Sequence, residues 1–392
     1  MEKMEKKEGL RRTVVESIDA ARDSLLDLSH DIFEYSEIAF QEVRSAERLR
    51  KFLSDLGFRL NEVEGLPTGF VAEIGCGSPV IAFMAEYDAL PEIGHACGHN
   101  IIAAAAAGAG LGMSSIMDKC KGTIRVIGCP AEESGGGKVI MVNTGVFDDV
   151  DAAMIVHPSG EYMADDCSYA VRTFRIEFIG KAAHAASGPQ YGMNALSAAV
   201  EFLVSVNAFR EHMTDDGRIH AIITDGGSAV NVIPDRSELI VSVRGTTTEY
   251  MNQLIKQIEQ RATGASISTG CKYSIEPVGL GCKEIIVNPE LSRLFYENFR
   301  SLGITVAPRG DSKGSTDVGD VSHVVPTIQG YVGIGADATH TVEFREASIS
   351  SKGDEAVING AKVMALTAID ILLDPSVLDE IEKAFNARLS MK

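Results

Sequence analysis

At 392 residues with 45 % hydrophobic side chains, the chain is too long for one small core and has the material for two or three domains. A net charge of −19, with lysine and arginine scattered and no basic block interleaved with aromatics, opposes a phosphate backbone and excludes nucleic acid as an expected partner. Seven cysteines, an odd number with no C-x-x-C pair, fit reduced thiols and not a disulfide framework.

The first residues, MEKMEKKEGLRRTVVESI, alternate charges and lack the apolar stretch of a signal peptide. No other stretch reads as an uncharged run long enough to span a bilayer, since the Ala-rich segment after Asn100 is broken by glycines. The expectation is a cytoplasmic protein with no membrane partner. Residues 9–56 carry helical periodicity in two blocks, LRRTVVESIDAARDSLLDL and QEVRSAERLRKFLSDLG, the second stopped by Gly57. GFVAEIG and PVIAFMAEYDALP then read as strands, IIAAAAAGAGLGMSSIMDKC as a buried helix, and GTIRVIGCPAEE and DAAMIVHP as two more strands. Alternating strand and helix predicts an α/β fold whose sheet is largely parallel and covered on both faces.

Near Ala170 the pattern changes. Strand-like YAVRTFRIEFIGKAAHAA, a helix over MNALSAAVEFLVSVNAFREHM, strands RIHAIITDGG and ELIVSVRG, a helix over TEYMNQLIKQIEQRATG and a strand ending near YSIEPVGLG make a βαββαβ order. That order predicts a small ferredoxin-like α+β domain inserted into the larger one. The expected division is 1–170 for the first part of the larger domain, 171–283 for the insertion and 284–392 for the second part. A helix over PELSRLFYENFRSLG, glycine-rich loops and one long C-terminal helix from about Asp354 complete the larger domain.

The polar candidates follow strands or glycine-rich turns, where the ends of a parallel sheet place a site. In HACGHN, the Cys97 thiol and the His95 and His99 imidazoles are good ligands for zinc and related divalent ions, with Glu86 and Asp88 of AEYD close before them. The same six residues also read as a cysteine nucleophile with a histidine base, or as a polar knot closing a turn. In GCPAEESGGG, Glu132 and Glu133 end an apolar strand and point in different directions, so one can bind a metal while the other serves as general base. The bland alternative is an acidic turn opening a helix. His157 closes AAMIVHP and His340 lies in GADATHTVEF; each alone reads as well as a core or turn residue, and their weight comes from the set. In the insertion, His184 lies in a small-residue turn, Arg244 closes a strand and offers a fork for a carboxylate, and Asn231 offers an amide.

Taken together, AEYDALPEIGHACGHN, PAEESGGGK, IVHP, GKAAHAASGPQYGMNAL, NVIPDRSELIVSVRG, GSTDVGDVSHVVP and THTVEF, in this order, resemble the M20 metallopeptidases and amidohydrolases. The likeness is to the amidohydrolase branch, with its aminoacylase-like, aminobenzoyl-glutamate-hydrolase-like and Xaa-Arg or β-alanyl-lysine dipeptidase-like members. The resemblance implies a catalytic domain of zinc-peptidase type and two divalent metal ions, zinc or manganese, with cobalt or nickel also compatible. Cys97 would bridge them, and His99, Glu133, His157 and His340 would complete their shells. Glu132 would be the general base on a metal-bound water, and Asp88 matches a supporting aspartate near the metals. The insertion would be a lid through which two copies form a homodimer, with further pairing of dimers left open. His184 would reach the partner's site to stabilise the oxyanion, and Asn231 and Arg244 would hold the substrate's carboxylate.

Where other branches have a first-metal histidine, this chain has Glu86. Asn100, Tyr87 and STDVGDVS match the dipeptidase-like and aminobenzoyl-glutamate-like members, which implies dipeptides or N-acyl amino acids as substrates. Endopeptidase action on longer peptides, a cysteine-nucleophile amidase and a non-catalytic peptide-binding protein are the alternatives.

Overall fold

A computed structural model describes residues 2–310 and 314–390. The first periodic block splits at Ala21 into α1 (Glu2–Ala20) and α2 (Arg22–Tyr35), and α2 runs beyond the expected end because Leu25, Leu28, Ser29 and Ile32 keep one stripe buried. The second block is α3 (Val43–Asp55). Next come β1 (Arg59–Val63), β2 (Leu66–Cys76), β3 (Val80–Glu86), α4 (His99–Ser114), β4 (Gly122–Cys129), α5 (Gly137–Asn143) and β5 (Ala152–Ser159). The inserted segment forms β6 (Ala170–Ile179), α6 (Ala195–Arg210), β7 (Gly217–Asp225), β8 (Arg236–Gly245), α7 (Thr248–Thr269) and β9 (Lys272–Cys282). The remainder is α8 (Pro289–Ser301), α9 (Val318–Ser322), β10 (Thr327–Gly333), α10 (Val342–Ala347), α11 (Ser351–Leu373) and α12 (Pro375–Leu389).

The chain divides into two compact units. The first comprises the described residues of Met1–Cys167, Ile285–Ser312 and Asp317–Lys392, and the second those of Ser168–Glu284 and Lys313–Thr316. In the first unit the sheet order is β1-β2-β4-β3-β5-β10. Strands β4, β3, β5 and β10 run parallel, while β2 and β1 add an antiparallel edge. Every residue of β3 is buried, because Ile81, Phe83 and Ala85 enter one core and Val80, Ala82 and Met84 the other, as the two-residue side-chain period requires. Helices α1, α2, α4, α8 and α11 supply the first core, and Met141 of α5 with Val318 and Val321 of α9 enter the second.

Two strands lie outside the sequence expectation. β1 exposes four of its five residues and pairs on one side only, so it carries no apolar alternation. β10 occupies part of the region expected as glycine-rich loops; TIQGYVG has no apolar run, and its partner β5 lies far away in sequence. The expected single C-terminal helix is broken at Asp374, since the residue before Pro375 avoids helical geometry, and the Asp374 side chain caps α12 through the Ser376 N–H. By length and composition α11 would suffice to cross a membrane, contrary to the expectation above, but 78 % of its most apolar window is buried in the protein. It packs against α4 so closely that a Cβ on Gly108 would stand 2.9 Å from the Ala361 side chain.

In the second unit the strands are all antiparallel in the order β7-β8-β6-β9, with α6 and α7 burying Phe202, Val206, Leu254 and Ile258 in its core. This is the ferredoxin-like arrangement that the βαββαβ order predicts.

Candidate metal centre

The central parallel strands deliver their C-terminal ends to one place. β3 ends at Glu86, which the register sets opposite Cys129 at the end of β4, and β5 carries His157 near its own end. After β3, Asp88 is followed by the turn that holds His95 and Cys97, and α4 begins at His99. Gly98 makes this entry possible: its φ is +74°, and a Cβ there would come 2.7 Å from Pro158, the residue after His157. After β4, Ala131 adopts φ +59° directly before Glu132 and Glu133. His340 comes from the loop after β10 with φ +63°, its N–H donating to the Ala96 carbonyl at 2.8 Å.

Two of the donor groups formed here share Cys97. Ligand atoms of Cys97, His99 and His157 lie within 4.8 Å of one another, and so do those of Cys97, Glu133 and His340. The Cys97 sulfur therefore belongs to both, 3.4 Å from His157 Nε2, while His340 Nε2 stands 3.4 Å from Glu133 Oε2. The far sides of the rings are engaged elsewhere: His99 Nδ1 meets the Asp88 carboxylate at 3.0 Å and carbonyl at 2.9 Å, and His157 Nδ1 meets the Pro158 carbonyl at 2.8 Å. Asp88 also accepts the Glu133 N–H at 3.0 Å. Such outer contacts orient imidazoles toward a metal.

The chemistry of this set fits divalent cations. His99 Nε2 and Glu133 Oε1 are buried with no hydrogen-bond partner among the described residues, a costly state that a cation would relieve. Sulfur, imidazole and carboxylate together suit zinc and its neighbours in the first transition row. Burial pushes the Cys97 thiol up to about 12, so as a free nucleophile it would be protonated, whereas a metal ligand is held as thiolate. Burial works against a charged His99, but Asp88 outweighs it and raises the ring well above the ordinary histidine value. Burial lowers His157.

Glu132 is in neither sulfur-sharing group, but its carboxylate falls within 4.8 Å of ligand atoms of His99 and Glu133, a further group that overlaps both. Its carboxylate lies 3.9 Å from His99 Nε2 and also falls within 4.8 Å of Glu86 and Asp317. Burial, then Glu86 and Asp317, raise its pKa well above the usual carboxylate range. Beside it is a cation that sequence reasoning passed over. Lys138 is wholly buried, with Nζ 2.6 Å from both Glu86 and Asp317, and its own N–H donates to Asp317 at 2.9 Å. Burial opposes its charge, but Asp317 and Glu86 outweigh that and hold it protonated. In the sequence it is the last residue of PAEESGGGK, a lone lysine entering the apolar stretch VIMV, with no role of its own to mark it. His95 turns away from the cluster: Nε2 meets the Ile32 carbonyl at 3.0 Å, and burial lowers its pKa to about 4.

The other three candidates lie in the second unit. His184 is exposed, bridges to Val232 by backbone, and accepts the N–H groups of Ala186 and Ser187 on Nδ1, both at 3.2 Å. The Asn231 carbonyl accepts the Ala185 N–H at 2.9 Å, which sets His184 and Asn231 side by side. Arg244, on β8, donates to Ser315 Oγ at 2.8 Å.

Residues 170–268 match the model of the peptidase dimerisation domain. Over 97 % of its length the chain is 35 % identical to the Xaa-Arg dipeptidase of Mus musculus, covering 93 % of that protein. It is 28 % identical to a chain of the p-aminobenzoyl-glutamate hydrolase of Escherichia coli, over 95 % of this chain and 94 % of the other. A Bacillus subtilis structure described as a dinuclear metal binding peptidase has the same fold, with TM-score 0.71, 22 % identity, and coverage of 90 % of this chain and 99 % of that one.

Proposed function

The chain belongs to the M20 family of metallopeptidases and amidohydrolases, and we propose that it hydrolyses the amide bond of a dipeptide or N-acyl amino acid with a free carboxylate. The observation that carries this reading is the Cys97 sulfur shared by two donor groups, with the separate Glu132 carboxylate 3.9 Å from His99. Cys97, His99 and His157 would hold one divalent ion, and Cys97, Glu133 and His340 the other. When bound, such ions polarise the scissile carbonyl and make water acidic enough to attack near neutral pH.

The chain's own residues handle the rest. Glu132 takes a proton as the water oxygen bonds to the carbonyl carbon. It returns that proton to the nitrogen as the C–N bond breaks, a role that its raised proton affinity suits. Asp88 holds the His99 ring by Nδ1, which leaves Nε2 to serve as the donor that would hold the ion. His184 would donate to the oxyanion in the site of a second copy, and Asn231 and Arg244 would clamp the substrate carboxylate. The match of 170–268 to a dimerisation domain supports pairing through this unit, and an odd number of cysteines with no C-x-x-C pair supports a cytoplasmic location. The relative named as a dipeptidase supports short substrates, and a net charge of −19 favours encounter with cationic ones.

Chelation to exhaustion should abolish hydrolysis of a dipeptide panel, and zinc or manganese added back should restore it; full activity in metal-free protein would overturn the proposal. Arg244→Ala should raise KM for a carboxylate-bearing dipeptide by roughly 10- to 100-fold, the scale of a lost charged hydrogen bond. An unchanged KM would remove Arg244 from the clamp.

A further inference from the structure

Two backbone positions in the first unit sit in the left-handed region that favours glycine, and one carboxylate ties them together. Phe40 has φ +61° and Ala131 has φ +59°. Glu42, with none of its surface exposed, accepts the N–H of both on Oε1, each at 2.9 Å, and its Oε2 accepts the Thr68 hydroxyl at 3.0 Å. No lysine, arginine or histidine pairs with this carboxyl among the described residues, and a buried acid without a cation is costly to keep. Three hydrogen bonds from fixed donors compensate for it.

Ala131 is the residue from which both active carboxylates hang. It is fully buried, its carbonyl accepts the Gly135 N–H at 3.0 Å, and the closed turn so formed contains Glu132, Glu133 and Ser134. An alanine pays a steric penalty in this conformation, which persists only where its surroundings impose it. Relaxing Ala131 to an ordinary φ would swing Glu133 away from Cys97 and His340, and Glu132 away from His99. Asp88 holds the far end of the pair through the Glu133 N–H. The near end is held by Glu42.

We propose that Glu42 is a positioning residue of the hydrolytic site, whose bond to the Ala131 N–H imposes the left-handed turn that aims Glu132 and Glu133. The inference rests on the reading of those two residues as base and metal ligand. Reach matters here more than charge: glutamine keeps an oxygen at the same distance, whereas aspartate keeps the charge but is one methylene too short.

The test compares Glu42→Gln, Glu42→Asp and Glu42→Ala in the full chain, reading kcat and KM separately, and zinc affinity by competition with a chromophoric chelator. Glu42→Ala and Glu42→Asp should each lose about 10- to 100-fold in kcat and in zinc affinity, the scale for lost support of a metal ligand, with KM little changed. Glu42→Gln should recover most of both. In an Ala131→Gly background, where glycine accepts positive φ freely, the loss from Glu42→Ala should shrink. If Glu42→Ala does not fold, the order of glutamine and aspartate decides. Aspartate outperforming glutamine, additivity with Ala131→Gly, or a folded Glu42→Ala variant with unaltered kcat and zinc affinity would each overturn the proposal. Zinc affinity requires no substrate, so a failed clamp shows as unaltered affinity among variants, whereas a wild-type protein that binds no zinc would remove the underlying reading and the clamp with it.

Discussion

Glu132→Gln is expected to lower kcat by roughly 10²- to 10⁴-fold, the range for losing a general acid–base group, while metal content stays at the wild-type level. Glutamine fills the same space but cannot take a proton. Glu132 is in neither group that shares Cys97, though it clusters with His99 and Glu133, and glutamine keeps an oxygen acceptor beside them, so the donors of both sulfur-sharing groups should stay in place. Folding stability should hold or rise, because the carboxylate is buried near Glu86 and Asp317, whose charges oppose its own. The check is steady-state kinetics beside metal analysis and urea denaturation. Retained turnover would reassign the base, and loss of metal would make Glu132 a ligand.

Lys138→Met should produce the largest loss of stability, about 3–5 kcal/mol, as expected when one partner of a fully buried ion pair is removed. Methionine fills the volume of the lysine stem but leaves Glu86 and Asp317 without their common ammonium, 2.6 Å from each in the intact protein. The deficit should depend on pH in a definite direction. Burial pushes Asp317 up to about 6 even though Lys138 counteracts it, so without the lysine its folded pKa lies higher still. A carboxyl whose folded pKa exceeds its unfolded one destabilises the protein above that value and ceases to do so as it is protonated. The loss should therefore be complete at alkaline pH and shrink as pH falls toward 6 and below. Urea midpoints across that range measure it, and a deficit independent of pH would mean that packing, not charge, is the contribution of Lys138.

The contrast between Lys138 and Cys97 shows why parts of the site were legible beforehand. Cys97 and His99 share one turn, Glu132 and Glu133 are adjacent, and His157 closes an apolar strand, so each carries a local signal that it ends a strand of a parallel sheet. Lys138, Asp317 and Glu42 are single polar residues with no such signal. Their importance comes from being fully enclosed, and enclosure depends on elements brought together from distant parts of the chain: Asp317 is 179 residues from Lys138, and Glu42 is 89 from Ala131. The missed strands follow the same logic. β3 announces itself by six consecutive apolar residues before Glu86, whereas β10 becomes a strand because β5 offers it an edge.

By itself the sequence determined the alternation of strands and helices, the inserted βαββαβ segment and the candidate residues at strand ends, because apolar periodicity and turn chemistry act within a few residues. The tertiary structure decided which polar residues share a cluster. It set the Cys97 sulfur in two donor groups, turned His95 away to the Ile32 carbonyl, placed an ammonium between Glu86 and Asp317, and held Ala131 in a left-handed turn through Glu42. The physical reason is desolvation: a charge or a strained backbone becomes costly, and therefore must be partnered, only once the fold has removed it from water.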